Sequence, residues 1–126
     1  MPLVRVDLPR GKPAEYKRAI GDVIFAAMRA TINVPEGDRF QIFAEHAPDD
    51  LSIDPNYLNI ARSAEALIIQ ITLNEGRTTE QKRAFYKAIA DGLHDKIGLR
   101  REDVMINLVE VKKENWSFGN GDAPYA

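Results

Sequence analysis

The sequence predicts an α+β fold in which two tandem β-α-β units form one four-stranded mixed sheet with two helices on one face. Residues Leu3–Leu8 alternate between apolar and polar, as a half-buried strand does. Residues Ala14–Ile32 repeat apolar side chains at helical spacing. The same order of elements then returns in the second half of the chain. Because a strand, a crossover helix and a parallel strand share one sheet, two such units side by side give four strands.

The repeat is visible without gaps at a fixed shift of 65 positions, which places Leu8 on Leu73 and Gly11 on Gly76. Self-similarity at a fixed period is the signature of a repeated structural unit. We therefore expect one domain over residues 1–126, with units at about residues 2–47 and 66–111 and a C-terminal tail. Further identities at this shift pair Glu15 with Glu80, Lys17 with Lys82, Arg18 with Arg83, Ala19 with Ala84, Ile24 with Ile89, Ile32 with Ile97, and Asp38 with Asp103.

In the first unit, Gly11-Lys12-Pro13 separates the first strand from the helix. Pro13 suits the first turn, where its missing N–H would have no helical partner. The segment Val34–Asp38 contains Pro and Gly and predicts a turn. Residues Arg39–His46 alternate again and predict the second strand. The connection Pro48–Arg62 is long, and a short hairpin within it is one interpretation.

In the second unit, residues Ala66–Leu73 are almost continuously apolar, which predicts a central strand buried on both faces. The helix Thr78–Ile97 follows Gly76-Arg77 and begins with a capping box, in which Thr78 and Gln81 satisfy each other's backbone N–H groups. Gly98 stands where a helix-ending glycine belongs. The last strand is predicted at Val104–Val111.

The composition excludes several classes of function. A net charge of −2 with scattered basic residues offers no broad positive field for nucleic acid or an anionic membrane. There is no cysteine, and the two histidines, His46 and His94, lie far apart, so no metal cluster is expected. No apolar run approaches the ~20 residues of a membrane span, and no signal peptide opens the chain. We expect a cytoplasmic protein without a cofactor.

With both helices on one face, the other face of the sheet is predicted to be apolar and uncovered. Oligomerisation is the natural way to bury such a face. Two β-α-β units also describe ferredoxin-like regulatory domains, which sense ligands at their interfaces. A non-catalytic binding or regulatory module is therefore the alternative to an enzyme.

Several stretches spread over nearly the whole chain carry a family resemblance, together with Pro2 at the tip of the first strand. These stretches are Asp38-Arg39-Phe40-Gln41, Glu45-His46, Arg62-Ser63, Glu80-Gln81-Lys82 with Phe85-Tyr86, and Trp116-Ser117-Phe118-Gly119. With them the chain resembles the tautomerase superfamily, and more specifically the malonate semialdehyde decarboxylase-like family. This resemblance implies a tautomerase/MIF-like fold, a homotrimer, no cofactor and a catalytic amino-terminal proline. It also implies an enzyme that decarboxylates, hydrates or tautomerises a small 2-oxo or 3-oxo carboxylic acid.

Pro2 has two interpretations. Proline is tolerated at the first residue of a strand because no ladder hydrogen bond is needed there. If Met1 is removed, which a small second residue permits, Pro2 instead becomes a free secondary amine. Such an amine can act as a general base, as a general acid, or as a nucleophile towards a carbonyl.

Asp38 and Arg77 are the other two candidate catalytic residues. Asp38 either ends a turn or, as the resemblance implies, works beside the proline. Arg77 precedes the helix cap, where a cation opposes the helix dipole and an anion would be held by backbone N–H groups and the guanidinium. It is either a solvated loop arginine or, as the resemblance implies, the residue that grips the substrate carboxylate.

The same loop departs from the family pattern, because Glu75 stands where the resembling decarboxylase has a second arginine. Glu75 would repel a substrate carboxylate unless it points away or pairs with Arg77. Arg39 either supplies the missing charge or is an exposed arginine at the start of a strand. Trp116 and Phe118 are expected either to wall the pocket and exclude water or to pack at a subunit interface.

The remaining polar and aromatic candidates are given minor roles. His46 is predicted to be a polar residue at a strand end rather than a catalyst. Residues Gly119–Gly121 and Tyr125 are predicted to form a mobile tail, and one interpretation is that this tail acts as a lid.

Overall fold

A computed structural model describes residues 2–125 of the chain. Every predicted strand and helix is present, with ends that differ from the predicted ones by no more than one residue. Short 3₁₀ turns occupy Pro48–Asp50, Tyr57–Asn59, Arg101–Asp103 and Lys113–Asn115. The strands are β1 (Leu3–Pro9), β2 (Phe40–His46), β3 (Leu67–Asn74) and β4 (Val104–Val111), and the helices are α1 (Ala14–Thr31) and α2 (Thr79–Ile97).

The sheet has the strand order β2-β1-β3-β4. Within each unit the two strands are parallel, so β1 pairs with β2 and β3 pairs with β4 across their crossover helices. The two units meet where β1 runs antiparallel to β3, with Val6 opposite Ile69. The predicted mixed sheet of tandem β-α-β units is therefore confirmed.

The predicted signals at the ends of α2 are also confirmed. The Thr78 hydroxyl accepts a hydrogen bond from the Gln81 backbone N–H at 3.1 Å, and the Gln81 side chain accepts one from the Thr78 N–H at 2.9 Å. At the other end Gly98 has φ 68°, a left-handed conformation that favours glycine, and its N–H donates to the His94 carbonyl at 3.0 Å.

The core lies between the sheet and the two helices, which pack against each other on one face. Residues Val4, Val6 and Leu8 of β1 point into it, in register with alternate residues of β3. Their burial stabilises the fold through the hydrophobic effect, at roughly 25 cal/mol per Å² of apolar surface removed from water. Within residues 2–125, no helix is both long and apolar enough to cross a bilayer. The helical side chains that fill the core are Ile20, Ile24 and Met28 of α1 and Phe85, Ile89 and Leu93 of α2.

The outer face of the sheet corrects one expectation, because it is only partly apolar. A polar row crosses its middle, where Arg5 lies opposite Gln70 and Gln70 lies opposite Asn107. The Gln70 amide donates to the Asn107 side-chain oxygen at 3.1 Å. Exposed apolar side chains lie on either side of this row: Phe40 and Val109 towards one end of the sheet, Ile42 beside Arg5, and Met105 towards the other end.

The long connection between β2 and β3 is held by its own polar contacts and contains two 3₁₀ turns rather than a hairpin. The Arg62 guanidinium donates to the backbone carbonyls of Asp54 and Tyr57, each at 3.1 Å, and to that of Ile60 at 3.3 Å. These bonds satisfy carbonyls that a loop without strand pairing would otherwise leave to water.

The spacing of the two helices depends on Gly92 of α2. A Cβ atom at this position would lie 2.7 Å from the Cγ1 atom of Val23 on α1, closer than carbon atoms pack. Gly92→Ala gains about 1 kcal/mol of helix propensity, while overpacking of the contact costs roughly 1–3 kcal/mol. We expect a net loss of about 1 kcal/mol in the free energy of unfolding, measured by urea denaturation.

The matched background for this test is Val23→Ala, which removes the methyl groups that the new Cβ would meet. In that background we expect Gly92→Ala to stabilise the protein, because only the gain in helix propensity remains. Destabilisation in both backgrounds would show that a contact other than Val23 sets the spacing.

Candidate active site

Four strand termini meet at one end of the sheet. Because β1 and β2 are parallel and β3 runs antiparallel to β1, the starts of β1 and β2 lie beside the ends of β3 and β4. Pro2 immediately precedes β1, and Asp38 lies just before β2. Arg77 follows β3, and Trp116 follows β4. The fold therefore brings together residues that are up to 114 positions apart in the sequence, from Pro2 to Trp116.

Pro2 lies in a small aromatic recess, which we call the proline recess. It has a volume of about 220 Å³ and is lined by Pro2, Leu3, Phe40, Trp116, Ser117 and Phe118. Pro2 is buried, and the Phe118 ring stacks on that of Trp116 with their centroids 5.5 Å apart. Walls of this kind exclude water and lower the local dielectric, which strengthens electrostatic interactions inside.

Arg77 lies in a second, more polar recess, which we call the arginine recess. It has a volume of about 270 Å³, and its charged lining residues are Asp38, Glu75, Arg77 and Lys113. Tyr125 completes one wall. Cations and carboxylates thus face the same space, and this arrangement is suited to a small molecule that carries a carboxylate and a carbonyl.

The Arg77 guanidinium is oriented by two backbone carbonyls. Its Nη1 atom donates to the carbonyl of Asn74 and its Nη2 atom donates to that of Ile32, each at 3.2 Å. Among residues 2–125, no carboxylate oxygen lies within the 4.0 Å of an ion pair with it. A guanidinium carries five N–H donors in a rigid fork, so donors remain for an anion. The half-buried Arg77 side chain is therefore held in one orientation, with donors left over that could bind an anion.

Asn74 and Trp116 connect the two recesses. The Trp116 indole N–H donates to the Asn74 side-chain oxygen at 2.7 Å, while the backbone carbonyl of Asn74 accepts from Arg77. Asn74 is only 7% exposed. Asn74 was not among the residues expected at the site; its signal in the sequence is a polar residue at the end of an apolar strand. Lys113 was not expected there either, because it belongs to the exposed basic pair Lys112-Lys113.

Asp38 and Asp103 occupy equivalent positions in the two units but have different surroundings. Asp103 is 1% exposed, and its carboxylate accepts the backbone N–H of Ser63 at 2.7 Å and the Ser63 hydroxyl at 2.6 Å. It fixes the long connection to the start of β4. Asp38, in contrast, lines the arginine recess. Of this pair, the structural role belongs to Asp103.

The structure does not bring Arg39 into either recess, which corrects the expectation that it supplies a second charge to the substrate. Its Nη2 atom donates to Asp22 of α1 at 2.8 Å, and its guanidinium lies 5.4 Å from the centre of the Phe25 ring. Glu75 is exposed at the edge of the arginine recess and forms no ion pair with Arg77 among the described residues. The second positive charge in this recess is Lys113.

His46 and Tyr125 lie at opposite ends of the sheet. His46 ends β2, far from Pro2, and its Nε2 atom lies 2.7 Å from an Asp7 carboxylate oxygen. Tyr125, in the C-terminal tail, packs edge-on against Phe118 with ring centroids 6.0 Å apart. The tail therefore contacts the aromatic cluster and contributes a wall to the arginine recess.

The bond between Asn74 and Trp116 can be tested directly, because Trp116 is the single tryptophan of the chain. Asn74→Leu keeps the size of the side chain but leaves the indole N–H without its acceptor. We expect a loss of about 1–2 kcal/mol in the free energy of unfolding and a shifted Trp116 fluorescence maximum. The matched control is Asn107→Leu on the outer face, which should leave the fluorescence unchanged. An unshifted maximum in Asn74→Leu would contradict this geometry.

Two models of families described as tautomerase enzymes match the chain, one over residues 38–119 and the other over residues 2–60. The probable tautomerase YusQ of Bacillus subtilis (strain 168) is 41% identical over 123 residues, which cover 98% of this chain and 97% of that protein.

Solved structures give the same result. The crystal structure of FG41 malonate semialdehyde decarboxylase inhibited by 3-bromopropiolate matches with a TM-score of 0.91 and 36% identity, over 98% of this chain and 93% of that one. A second malonate semialdehyde decarboxylase, described with decarboxylase and hydratase activities, matches with a TM-score of 0.91 and 30% identity, over 98% and 95%. More distant matches at 24% identity or less include fused 4-OT proteins described as trimers, and these show the fold alone.

Proposed function

Because this chain belongs to the tautomerase enzyme family, we propose that it decarboxylates a small 3-oxo carboxylic acid of the malonate semialdehyde type. The observation that carries this proposal is the oriented Arg77 guanidinium, which lies at the same end of the sheet as the buried Pro2. The similarity to two malonate semialdehyde decarboxylases over nearly the whole chain supports the substrate class. Membership of an enzyme family disfavours the alternative of a non-catalytic ferredoxin-like module.

Arg77 binds the substrate carboxylate in this proposal. The capping box uses the backbone N–H groups of Thr78 and Gln81, so these two groups are not available to hold an anion. The guanidinium therefore makes the main contact, through charge-assisted hydrogen bonds that are about twice as strong as neutral ones. Lys113 adds a second positive charge to the same recess.

Pro2 supplies the amine in this proposal, once Met1, which lies outside the described residues, is removed. The nitrogen attacks the aldehyde carbon, and loss of water gives an iminium. The bond from the carboxylate to the neighbouring carbon then breaks, carbon dioxide leaves, and its electron pair moves towards the iminium nitrogen to form an enamine. Protonation at carbon and hydrolysis release acetaldehyde and restore the amine.

Asp38 and the aromatic residues support these steps. Asp38 faces the arginine recess, where a carboxylate can activate the water that hydrolyses the iminium. Trp116 and Phe118 keep bulk water from the proline recess, which favours conversion of a charged carboxylate to neutral carbon dioxide.

Glu75 favours a second candidate function, tautomerisation or hydration of a related acid by the same residues. Its carboxylate faces the arginine recess and weakens the binding of any anion there. With Pro2 as a general base or acid, the site would then move a proton next to a carbonyl instead of breaking a carbon–carbon bond.

The Glu75 effect gives a direct prediction. Glu75→Gln removes the negative charge with little change in shape, so KM for a small 3-oxo acid should fall about threefold, which corresponds to less than 1 kcal/mol of exposed electrostatic repulsion. Steady-state kinetics at low ionic strength measure this change. Glu36→Gln, an exposed substitution in the turn before β2 that lines neither recess, is the control. An unchanged KM would place Glu75 outside the path of the substrate.

A homotrimer is part of the proposal. Phe40, Ile42, Met105 and Val109 leave exposed apolar surface on the outer face of the sheet, and Phe40 also lines the proline recess. Exposed apolar surface of this kind commonly marks an interface between subunits. Sedimentation equilibrium measures the mass of the assembly and separates a trimer from a monomer or dimer.

The function is tested by a proton NMR time course with malonate semialdehyde, on protein whose mass shows the loss of Met1. Formation of acetaldehyde well above the buffer rate supports decarboxylation. Reduction with cyanoborohydride during turnover should then leave an ethyl group on the Pro2 nitrogen, detected by mass spectrometry. Turnover of an enol acid without acetaldehyde formation would instead support tautomerisation.

A further inference from the structure

We propose that a second binding site, for a small amphipathic carboxylate, lies at the end of the sheet opposite Pro2. A cavity of about 360 Å³ occurs there, where the connection between β2 and β3 meets the ends of β1 and β2. We call it the far cavity. The chain from Pro2 to Pro9 follows β1 at about 3.3 Å per residue, so the two sites are separated by about 20 Å. The far cavity is therefore distinct from both recesses of the candidate active site.

The walls of the far cavity are mostly apolar. Pro9 and Ala66 form its floor at the strand ends, and Ala47, Pro48, Leu51 and Ile53 contribute side chains from the connection. A concave, mainly apolar space of a few hundred Å³ with a small number of polar groups is the usual form of a small-molecule site. At about 30 Å³ for each water-sized group, it has room for on the order of ten non-hydrogen atoms.

The polar groups at this cavity favour an anion. Arg10 lines it, and among the described residues no carboxylate lies within ion-pair distance of its guanidinium. The Arg10 backbone N–H donates to the His46 carbonyl at 2.9 Å, which fixes the two residues beside each other. The His46 ring is held by Asp7 through Nε2, so its other nitrogen, Nδ1, remains for a ligand. No aspartate or glutamate is among the described residues that line the cavity.

The far wall of the cavity is rigid, so the site is preformed. The N–H and hydroxyl of Ser63 are both bound by the buried carboxylate of Asp103, at 2.7 and 2.6 Å. The bonds from Arg62 to three carbonyls hold the preceding turn. A preformed site does not have to order the loop when the ligand binds, and this favours affinity. The ligand that fits is a carboxylate with a short apolar chain, its head on Arg10 and its chain against Leu51 and Ile53.

The test uses octanoate, which has ten non-hydrogen atoms by its formula, as the probe for isotope-labelled full-length protein in NMR titrations. We expect saturable shifts of the Ala47, Ala64 and Ala66 resonances, with a dissociation constant of about 1 mM or below. Arg10→Gln should weaken binding about tenfold, because a charge-assisted hydrogen bond is lost. Ala64→Leu fills the cavity from an exposed wall position and should abolish these shifts. Arg77→Gln should leave them unchanged.

Four results would overturn the proposal. The first is the absence of saturable binding by about 5 mM octanoate. The second is equal binding of octylammonium, because a cation should be repelled by Arg10. The third is a set of shifts that centre on the Trp116 ring and disappear in Arg77→Gln, which would place octanoate in the candidate active site. The fourth is a pair of observations: octanoate shifts no alanine resonance of the cavity, and an oligomer of the parent protein dissociates when Arg10→Glu is introduced. Together they would make this face an interface between copies of the chain.

Discussion

Arg77→Ala is expected to lower kcat/KM for a small 3-oxo acid by about 10³-fold, or roughly 4 kcal/mol of transition-state stabilisation. The guanidinium is held in place by the carbonyls of Asn74 and Ile32 and is not neutralised by an ion pair among the described residues. Removing one partner of a buried, charged hydrogen-bonded pair typically costs about 2–5 kcal/mol or more, and this expected effect lies within that range.

The conservative variant separates charge from geometry. Arg77→Lys keeps the positive charge, but a lysine ammonium is a point charge and cannot reproduce the two-pronged contact with a carboxylate. We expect it to recover no more than about one tenth of the lost activity. Steady-state kinetics should show the loss in KM as well as in kcat, because the anchor both binds the substrate and sets its orientation.

Arg39→Ala is the matched control. Arg39 has the same side chain near the same end of the sheet, but it pairs with Asp22 on α1 instead of facing a recess. We expect the activity of Arg39→Ala to stay within about twofold of that of the parent. An exposed ion pair contributes at most about 1 kcal/mol, and it contributes this to folding stability, not to catalysis. If Arg39→Ala were as damaging as Arg77→Ala, the assignment of the anion receptor would be wrong.

The features that the sequence predicted well are those set by local chemistry. The Thr78–Gln81 capping box and the left-handed Gly98 need only their own neighbours in the chain, so both could be identified from residue type and spacing. The period-2 and period-3.6 patterns likewise define the strands and helices because each reflects the burial of one face of a single element. The internal repeat then fixed the topology, because two β-α-β units have few ways to share one sheet.

The features that the sequence did not predict depend on which elements lie beside each other. The position of Arg77 before a helix cap marks it as a candidate in the sequence, but no local signal shows that Arg39 pairs with Asp22 on α1 instead of entering a recess. Asp38 and Asp103 are identical in type and equivalent in the repeat, yet only the latter meets the long connection. Asn74 gains its importance from Trp116, 42 residues away, through a contact that only the folded chain creates.

The outer face of the sheet, which carries both polar and apolar side chains, is a further feature that depends on which elements lie beside each other. The outer face was expected to be apolar because both helices cover the other face, but a polar row arises when Arg5, Gln70 and Asn107 are brought into register. Cross-strand neighbours stabilise a sheet in pairs, so the character of its face is a property of the pairing and not of one strand.

Blocking the Pro2 nitrogen should have the largest effect on activity. A lysine inserted between Met1 and Pro2 keeps Pro2 within the chain, where its nitrogen is an amide with no basicity and no nucleophilic lone pair. We expect turnover of malonate semialdehyde to fall by 10⁴-fold or more, roughly 5 kcal/mol or above, because both the iminium and any proton transfer are lost. The comparison requires mass spectrometry of both proteins, to show an intact terminus in one and a free proline in the other.

The same insertion should leave binding intact. The hydrogen bonds that hold Arg77 go to the carbonyls of Asn74 and Ile32 and do not involve the amino terminus. A non-reacting carboxylate such as propionate should therefore bind with an unchanged dissociation constant. Pro2→Ala with a free amino terminus should fall between the parent and the blocked form, because a primary amine still forms an imine but less readily carries the positive charge of an iminium. Full activity of the blocked protein would exclude Pro2 as the amine and leave it as the residue that precedes β1.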